Sequence, residues 1–203
     1  MTCTIRFVAV ARTVSRSTSR TSPREARCQR GVTAIELMVV LAVLAILVTV
    51  AAPSFIDLTQ RNRVATEING FVGDLQFARA EAIRRGQNVT LCASTNGTSC
   101  GGTTWNNGWL IFNNGDPPDT TIDTGIGETV IRKQAKWSST DTFTATDGLA
   151  VITYSRDGFA LGLPSGAVQL TLNTSPANAK ATRCVLLNLA GRQQVLTAGG
   201  TCS

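Results

Sequence analysis

The sequence predicts an α+β chain in which one long N-terminal helix packs against a C-terminal antiparallel sheet or small sandwich. Three observations carry this expectation. Val32 to Ala52 is a run of 21 residues whose apolar character is interrupted only by Thr33, Glu36 and Thr49. Beyond it, Val64, Ile68, Phe71, Leu75, Ala78 and Ala82 recur at spacings of three and four, the repeat of one helical face. From Asn88 onward the period falls to two and turn residues multiply, which is the pattern of short strands.

The apolar run comes first in the chain. As a helix rising 1.5 Å per residue it would span roughly 30 Å, the thickness of a bilayer core. Arg6, Arg12, Arg16, Arg20, Arg24, Arg27 and Arg30 all precede it. Such a flank keeps the leader cytoplasmic and exports the C-terminal bulk across the membrane. Glu36 is the one charged side chain inside the run, and a carboxylate in that setting is costly enough to mark a function.

A basic leader ending at Gly31, then Val32 and an apolar segment holding Glu36, resembles the class III signal of type IV prepilins. The resemblance implies cleavage after Gly31 by a membrane prepilin peptidase and methylation of the new amine on Val32. It also implies assembly with other pilins or pseudopilins through the N-terminal helix, on an inner-membrane assembly platform. In a staggered stack of such helices the Val32 amine of one subunit can lie near Glu36 of its neighbour. Two charges that are costly singly become tolerable as a pair in low dielectric, so Glu36 would select the register of assembly. The sequence departs from the usual pattern at Val32, where pilins begin with Phe, and at Ala34, where Leu is usual. Its 31-residue leader is also long. Two plainer readings compete. An ordinary secretory signal would be cut after the run, where Val50, Ala51 and Ala52 offer small residues. An uncleaved anchor would need neither Gly31 nor Glu36.

The formal charge of +6 points at first to a polyanion. The seven leader arginines and one leader acid, Glu25, account for all of it, leaving twelve basic and twelve acidic side chains after Gly31. Cysteines divide the same way. Cys3 and Cys28 lie in the leader, whereas Cys92, Cys100, Cys184 and Cys202 lie in the exported part, where disulfides persist. Four cysteines allow three pairings. The local pairs Cys92–Cys100 and Cys184–Cys202 close short loops and are preferred, each adding about 3 kcal/mol. A zinc site would more typically show close cysteine pairs, and the chain has no histidine.

Pro53 removes one helical hydrogen bond and is expected to kink or loosen the helix. Helical character then resumes, with Glu67, Asp74, Arg79, Glu81 and Arg85 off the apolar stripe, and Gly86 as the stop. The expected organisation is a leader at 1–31, a transmembrane and assembly segment at 32–59, an amphipathic helix at 60–86 and a β-rich domain at 87–203. Strands are expected at Val89–Ala93, Trp109–Asn113, Thr129–Lys133, Val151–Tyr154, Val168–Leu172, Cys184–Leu189 and Gln193–Leu196. Asn96-Gly97, Asn107-Gly108 and Asp157-Gly158 read as hairpin turns. The stretch from Asn113 to Gly127, with Pro117 and Pro118, reads as an exposed acidic loop.

Phe77-Ala78-Arg79-Ala80-Glu81-Ala82-Ile83-Arg84-Arg85, then Val89-Thr90-Leu91-Cys92, then Trp105, Gly108, Trp109 and Phe112, resemble the GspH/FimT family of minor pseudopilins and minor pilins. The resemblance runs from Gly31 to Cys202. It implies a type IV pilin-like fold with a two-sheet β domain and a place near a filament tip. Read from the residues alone, Trp105, Trp109 and Phe112 are core and turn packing.

Little points to chemistry. The commonest general base is missing with histidine, and no nucleophile elbow or phosphate loop appears. No cofactor is expected. Asp116, Asp119, Asp123 and Glu128 lack the spacing of an EF-hand loop and read as a solvated acidic stretch. After Asp157 there is no acidic side chain, while Lys180, Arg183 and Arg192 follow, a local excess suited to a phosphate backbone. Some members of the resembled family capture DNA through a Gly-Arg-x-Arg element. Gly191-Arg192-Gln193-Gln194 matches its first half only, with Gln194 in place of the second arginine. DNA is therefore an alternative partner, and a sheet edge that simply lacks acids is the plainer reading.

Overall fold

The computed structural model describes residues 31–115, 118–197 and 202. The leader arginines, Cys3, Cys28, Asp116 and Pro117 lie outside the described residues. The chain divides into two compact units after Leu44. Helix α1 is assigned from Ala34 to Arg85, 52 residues.

In the first unit the helix opens on Thr33. Its hydroxyl oxygen accepts from the Glu36 backbone N–H at 3.3 Å, so one of the four N–H groups left free at a helix start is satisfied. The side chains from residue 31 to 56 are exposed. The helix contains a stretch long and apolar enough to cross a membrane, and none of that stretch is buried. Pro53 lies inside the helix, and the element continues unbroken through it. The loosening expected there amounts to the Thr49 carbonyl losing its amide partner.

In the second unit the stripe is buried as the spacing predicts: Val64, Phe71, Leu75, Ala78 and Ala82 are fully enclosed and Ile68 nearly so. The helix ends where Gly86 takes a φ of +65° and the Gln87 N–H reaches back to the Ala82 carbonyl at 3.3 Å, a Schellman closure. Glu81 meets both Arg84 and Arg85. Those hydrogen bonds, Arg84 first, hold its carboxyl down at about 2.

Nine antiparallel strands follow among the described residues: β1 (Asn88–Ala93), β2 (Gly108–Asn114), β3 (Val130–Ala135), β4 (Thr142–Ala145), β5 (Val151–Tyr154), β6 (Ala160–Leu161), β7 (Ala167–Asn173), β8 (Arg183–Asn188) and β9 (Gln193–Thr197). They form two sheets, ordered β3-β2-β1-β5-β6 and β4-β7-β8-β9. The seven expected strands are present with ends shifted by a residue or two, while β4 and β6 are additional. Asp157-Gly158 turns β5 into β6, and Asn96-Gly97 lies in the loop between the paired strands β1 and β2. Asn107-Gly108 is not a hairpin turn: Trp105–Asn107 is a short 3-10 turn, and Gly108 begins β2.

One apolar cluster joins the helix stripe to both sheets. Phe71 sits at its centre, edge-on to Trp105, Trp109 and Phe143 at 5.4, 5.2 and 4.8 Å between ring centroids. The Trp105 indole donates to the Leu149 carbonyl at 3.0 Å. Asp74, off the apolar stripe, is nonetheless buried, accepting from the Trp109 indole at 2.8 Å and from Arg132 at 2.7 Å. The Tyr154 hydroxyl accepts from Gln193 at 2.9 Å, linking the two sheets, and burial pushes its phenol up to about 12.

Glu67 faces the opposite balance. Desolvation raises its carboxyl above the usual range despite a hydrogen bond from Ser139, and its second oxygen is buried without a partner among the described residues. A raised carboxyl contributes stability below its unfolded value and loses it as pH rises through the folded value. Glu67→Gln is therefore expected to melt higher than the parent at pH 7, with the gap closing toward pH 4. Thermal unfolding at the two pH values checks this, and an equal gap at both would refute it.

Candidate assembly site

Gly31 and Val32 are exposed at the head of the described chain, immediately before the Thr33 cap. Glu36 is exposed in the first turn of α1, where a negative charge is favoured by the unsatisfied N–H groups and the helix dipole. Thr33 was not singled out in the sequence, although Thr33-Ala34-Ile35-Glu36 has the T-x-x-E spacing of a capping box. That signal makes Glu36 a helix-start residue as well as a lone carboxylate in an apolar run. The motif thus supplies a defined helical start, one carboxylate within that first turn, and a long exposed apolar surface beyond.

The cysteines are joined locally. Cys92 pairs with Cys100 across a Cα–Cα distance of 5.6 Å, and Cys184 with Cys202 across 5.8 Å. The first closes the long β1–β2 connection, and the second fastens the chain end to β8.

The three basic candidates are not brought together. Lys180 and Arg183 lie at the start of β8, where the Arg183 guanidinium donates to the Lys180 and Thr182 carbonyls at 3.1 and 2.8 Å. Arg192 lies beyond the other end of the strand, in the β8–β9 turn, roughly 17 Å of extended chain away. That turn is seated by Arg79, which donates to the Gly191 and Ala190 carbonyls at 3.2 and 3.1 Å. Gly191 has a φ of +71°, and a Cβ there would come within 2.5 Å of the Gly158 carbonyl oxygen, so the position demands glycine. Arg79 and Gly191 lie 112 residues apart, and no local pattern around either signals that they meet.

Among the described residues of the acidic loop the carboxylates bind the loop's own backbone, Asp119 and Asp123 from exposed positions and Glu128 from a buried one, which corrects the solvated reading for Glu128. Glu128 is buried and accepts from the Gly115 and Asp123 N–H groups. Asp119 and Asp123 accept from the Thr121 and Gly125 N–H groups. Among the described residues no group of three or more His, Cys, Asp or Glu could hold a metal ion.

A long helix whose stripe is the core of a two-antiparallel-sheet domain, preceded by an exposed apolar segment, defines a type IV pilin-like subunit. Residues 26–52 match the prokaryotic N-terminal methylation motif, and residues 67–191 match Type II transport protein GspH. The chain belongs to the GspH family of minor pilins and pseudopilins, which are structural proteins. No curated protein matches it. Among solved structures it is similar to the type IV minor pilin FimU of Pseudomonas aeruginosa strain PAO1 in space group P21. That likeness has a TM-score of 0.53 at 19% identity, covering 70% of this chain and 93% of that one. FimU in space group P65 gives 0.49 at 20% identity, over 68% and 93%. At 19% identity the P21 likeness speaks for the fold.

Proposed function

We propose that the chain is an inner-membrane prepilin, cut after Gly31, methylated on Val32 and built into a type IV pilus or a type II secretion pseudopilus as a minor subunit. It acts by polymerisation, supporting filament initiation or tip assembly, and so pilus biogenesis or protein secretion. Its partners are other pilins, the prepilin peptidase and the inner-membrane assembly platform. The observation that carries this reading is the exposed apolar helix with its single carboxylate, Glu36, in the first turn behind the Thr33 cap. A helix start that is charged, capped and otherwise apolar suits a neighbouring subunit's amine better than it suits lipid. Pro53 supplies one missing backbone bond where the apolar segment ends, a place for the helix to flex as it leaves the bilayer.

Glu36→Ala is expected to leave processing and domain stability unchanged and to lower filament incorporation on the order of tenfold, since the neighbour's amine would be left buried and unpaired. Immunoblotting of sheared filaments against whole-cell protein measures it. Normal incorporation of the variant would remove the register role assigned to Glu36.

A further inference from the structure

Lys180 and Arg183 find a different setting from Arg192. The loop from Thr174 to Thr182 is folded against α1 just beyond the end of the apolar run. Asn178 donates to Asp57 at 2.6 Å and to Gln60 at 2.8 Å, and Gln60 donates back to the Pro176 carbonyl at 3.2 Å. Lys180 lines a groove with Pro53, Ile56 and Asp57 of the helix and Pro176 of the loop.

The level of this loop follows from helix geometry. If the bilayer core ends near Ala52, Asp57 stands about 7.5 Å further along the axis and Gln60 about 12 Å. The headgroup layer outside the core is about 5–8 Å deep. The loop therefore lies at the outer edge of the headgroups, and a lysine stem can reach down into them. Phe55 and Ile56, on the helix below, are exposed and apolar.

Charge at this level is positive. The Asp57 carboxylate is taken by Arg61 at 2.6 Å and by Asn178, and Asp141 is taken by Arg63 at 2.7 Å. Lys180 and Arg183 form no ion pair among the described residues, although Lys180 is near enough to Asp57 to add to the lowering of its carboxyl after Asn178 and Arg61. Arg183 is held by two carbonyls that leave its charge uncancelled.

We infer that the Thr174–Arg183 segment is a seat on an anionic bilayer, in which Lys180 and Arg183 engage lipid phosphates while the subunit is still embedded. This rests on the membrane-embedded prepilin reading and adds a lipid contact to it. The seat steadies the β domain over the membrane before assembly, and leaving the membrane breaks it.

The test uses the full chain in lipid nanodiscs, of phosphatidylcholine alone or with phosphatidylglycerol, and reads hydrogen exchange across 174–183. Phosphatidylglycerol is expected to slow exchange there by about fivefold or more, the worth of one cation at an anionic surface. Lys180→Gln with Arg183→Gln should abolish the difference while leaving exchange in β1 and β7 as in the parent. Equal exchange in both lipids with the chain inserted, or slowing that survives the double substitution, overturns the seat. Failure of the chain to enter the discs overturns the membrane reading itself and the seat with it. A DNA oligonucleotide added to the phosphatidylcholine discs completes the set: slowing by DNA but not by phosphatidylglycerol would assign these cations to nucleic acid instead.

Discussion

Phe71→Ala is expected to destabilise the β domain by about 3–5 kcal/mol and to lower its melting midpoint by roughly 10 °C. The ring is fully enclosed and meets Trp105, Trp109 and Phe143 edge-on, so truncation opens a cavity walled by large rigid side chains. Those neighbours come from the turn before β2, from β2 itself and from β4, which belong to different sheets. Collapse into the gap would have to move both sheets against the helix, and for that reason the upper part of the range is expected. Phe71→Leu should recover most of the loss. Urea unfolding of the full chain in detergent measures both variants, and a loss below about 1 kcal/mol for Phe71→Ala would mean that the site collapses freely.

Asp74→Ala is expected to cost about 2–3 kcal/mol, the penalty of leaving a buried donor without its acceptor. The Trp109 indole N–H is enclosed and donates only to Asp74 among the described residues. Arg132, about half exposed, can return to water, so the loss falls mainly on the tryptophan. Asp74→Asn keeps an oxygen for the indole and should cost about 1 kcal/mol. In the Trp109→Phe background the Asp74→Ala cost should shrink by about 1–2 kcal/mol, because no donor is then stranded. Equal costs in the two backgrounds, read by urea unfolding, would show that the indole bond contributes nothing.

Asp74 also marks where the sequence stopped being legible. The stripe from Val64 to Ala82 was readable because burial of one helical face forces a repeat of three and four. A carboxylate beside that stripe reads as solvated unless the facing indole is known, and Trp109 arrives 35 residues later. The same limit hid Asp141, fully buried and held by Arg63 and the Ser175 N–H, and the contact of Arg79 with Gly191. Among the strands, β4 shows one enclosed apolar residue, Phe143, and β6 is two residues long. Neither presents enough alternation to stand out. Gly31, Val32 and Glu36 were readable because the membrane makes a lone charge conspicuous. Thr33 was readable in principle from its spacing to Glu36. The separation of Arg192 from Lys180 and Arg183 depends on the β8–β9 hairpin, and linear proximity concealed it.

The continuity of α1 bears on how the subunit carries load. The stripe from Val64 to Ala82 runs about 27 Å along the helix and is the floor of the β domain. A tug on that domain along the helix axis cannot peel the contact open one residue at a time. It must slide the whole stripe at once past Trp105, Trp109 and Phe143. Pulled along its length, the domain grips its helix in shear, with the whole stripe resisting together.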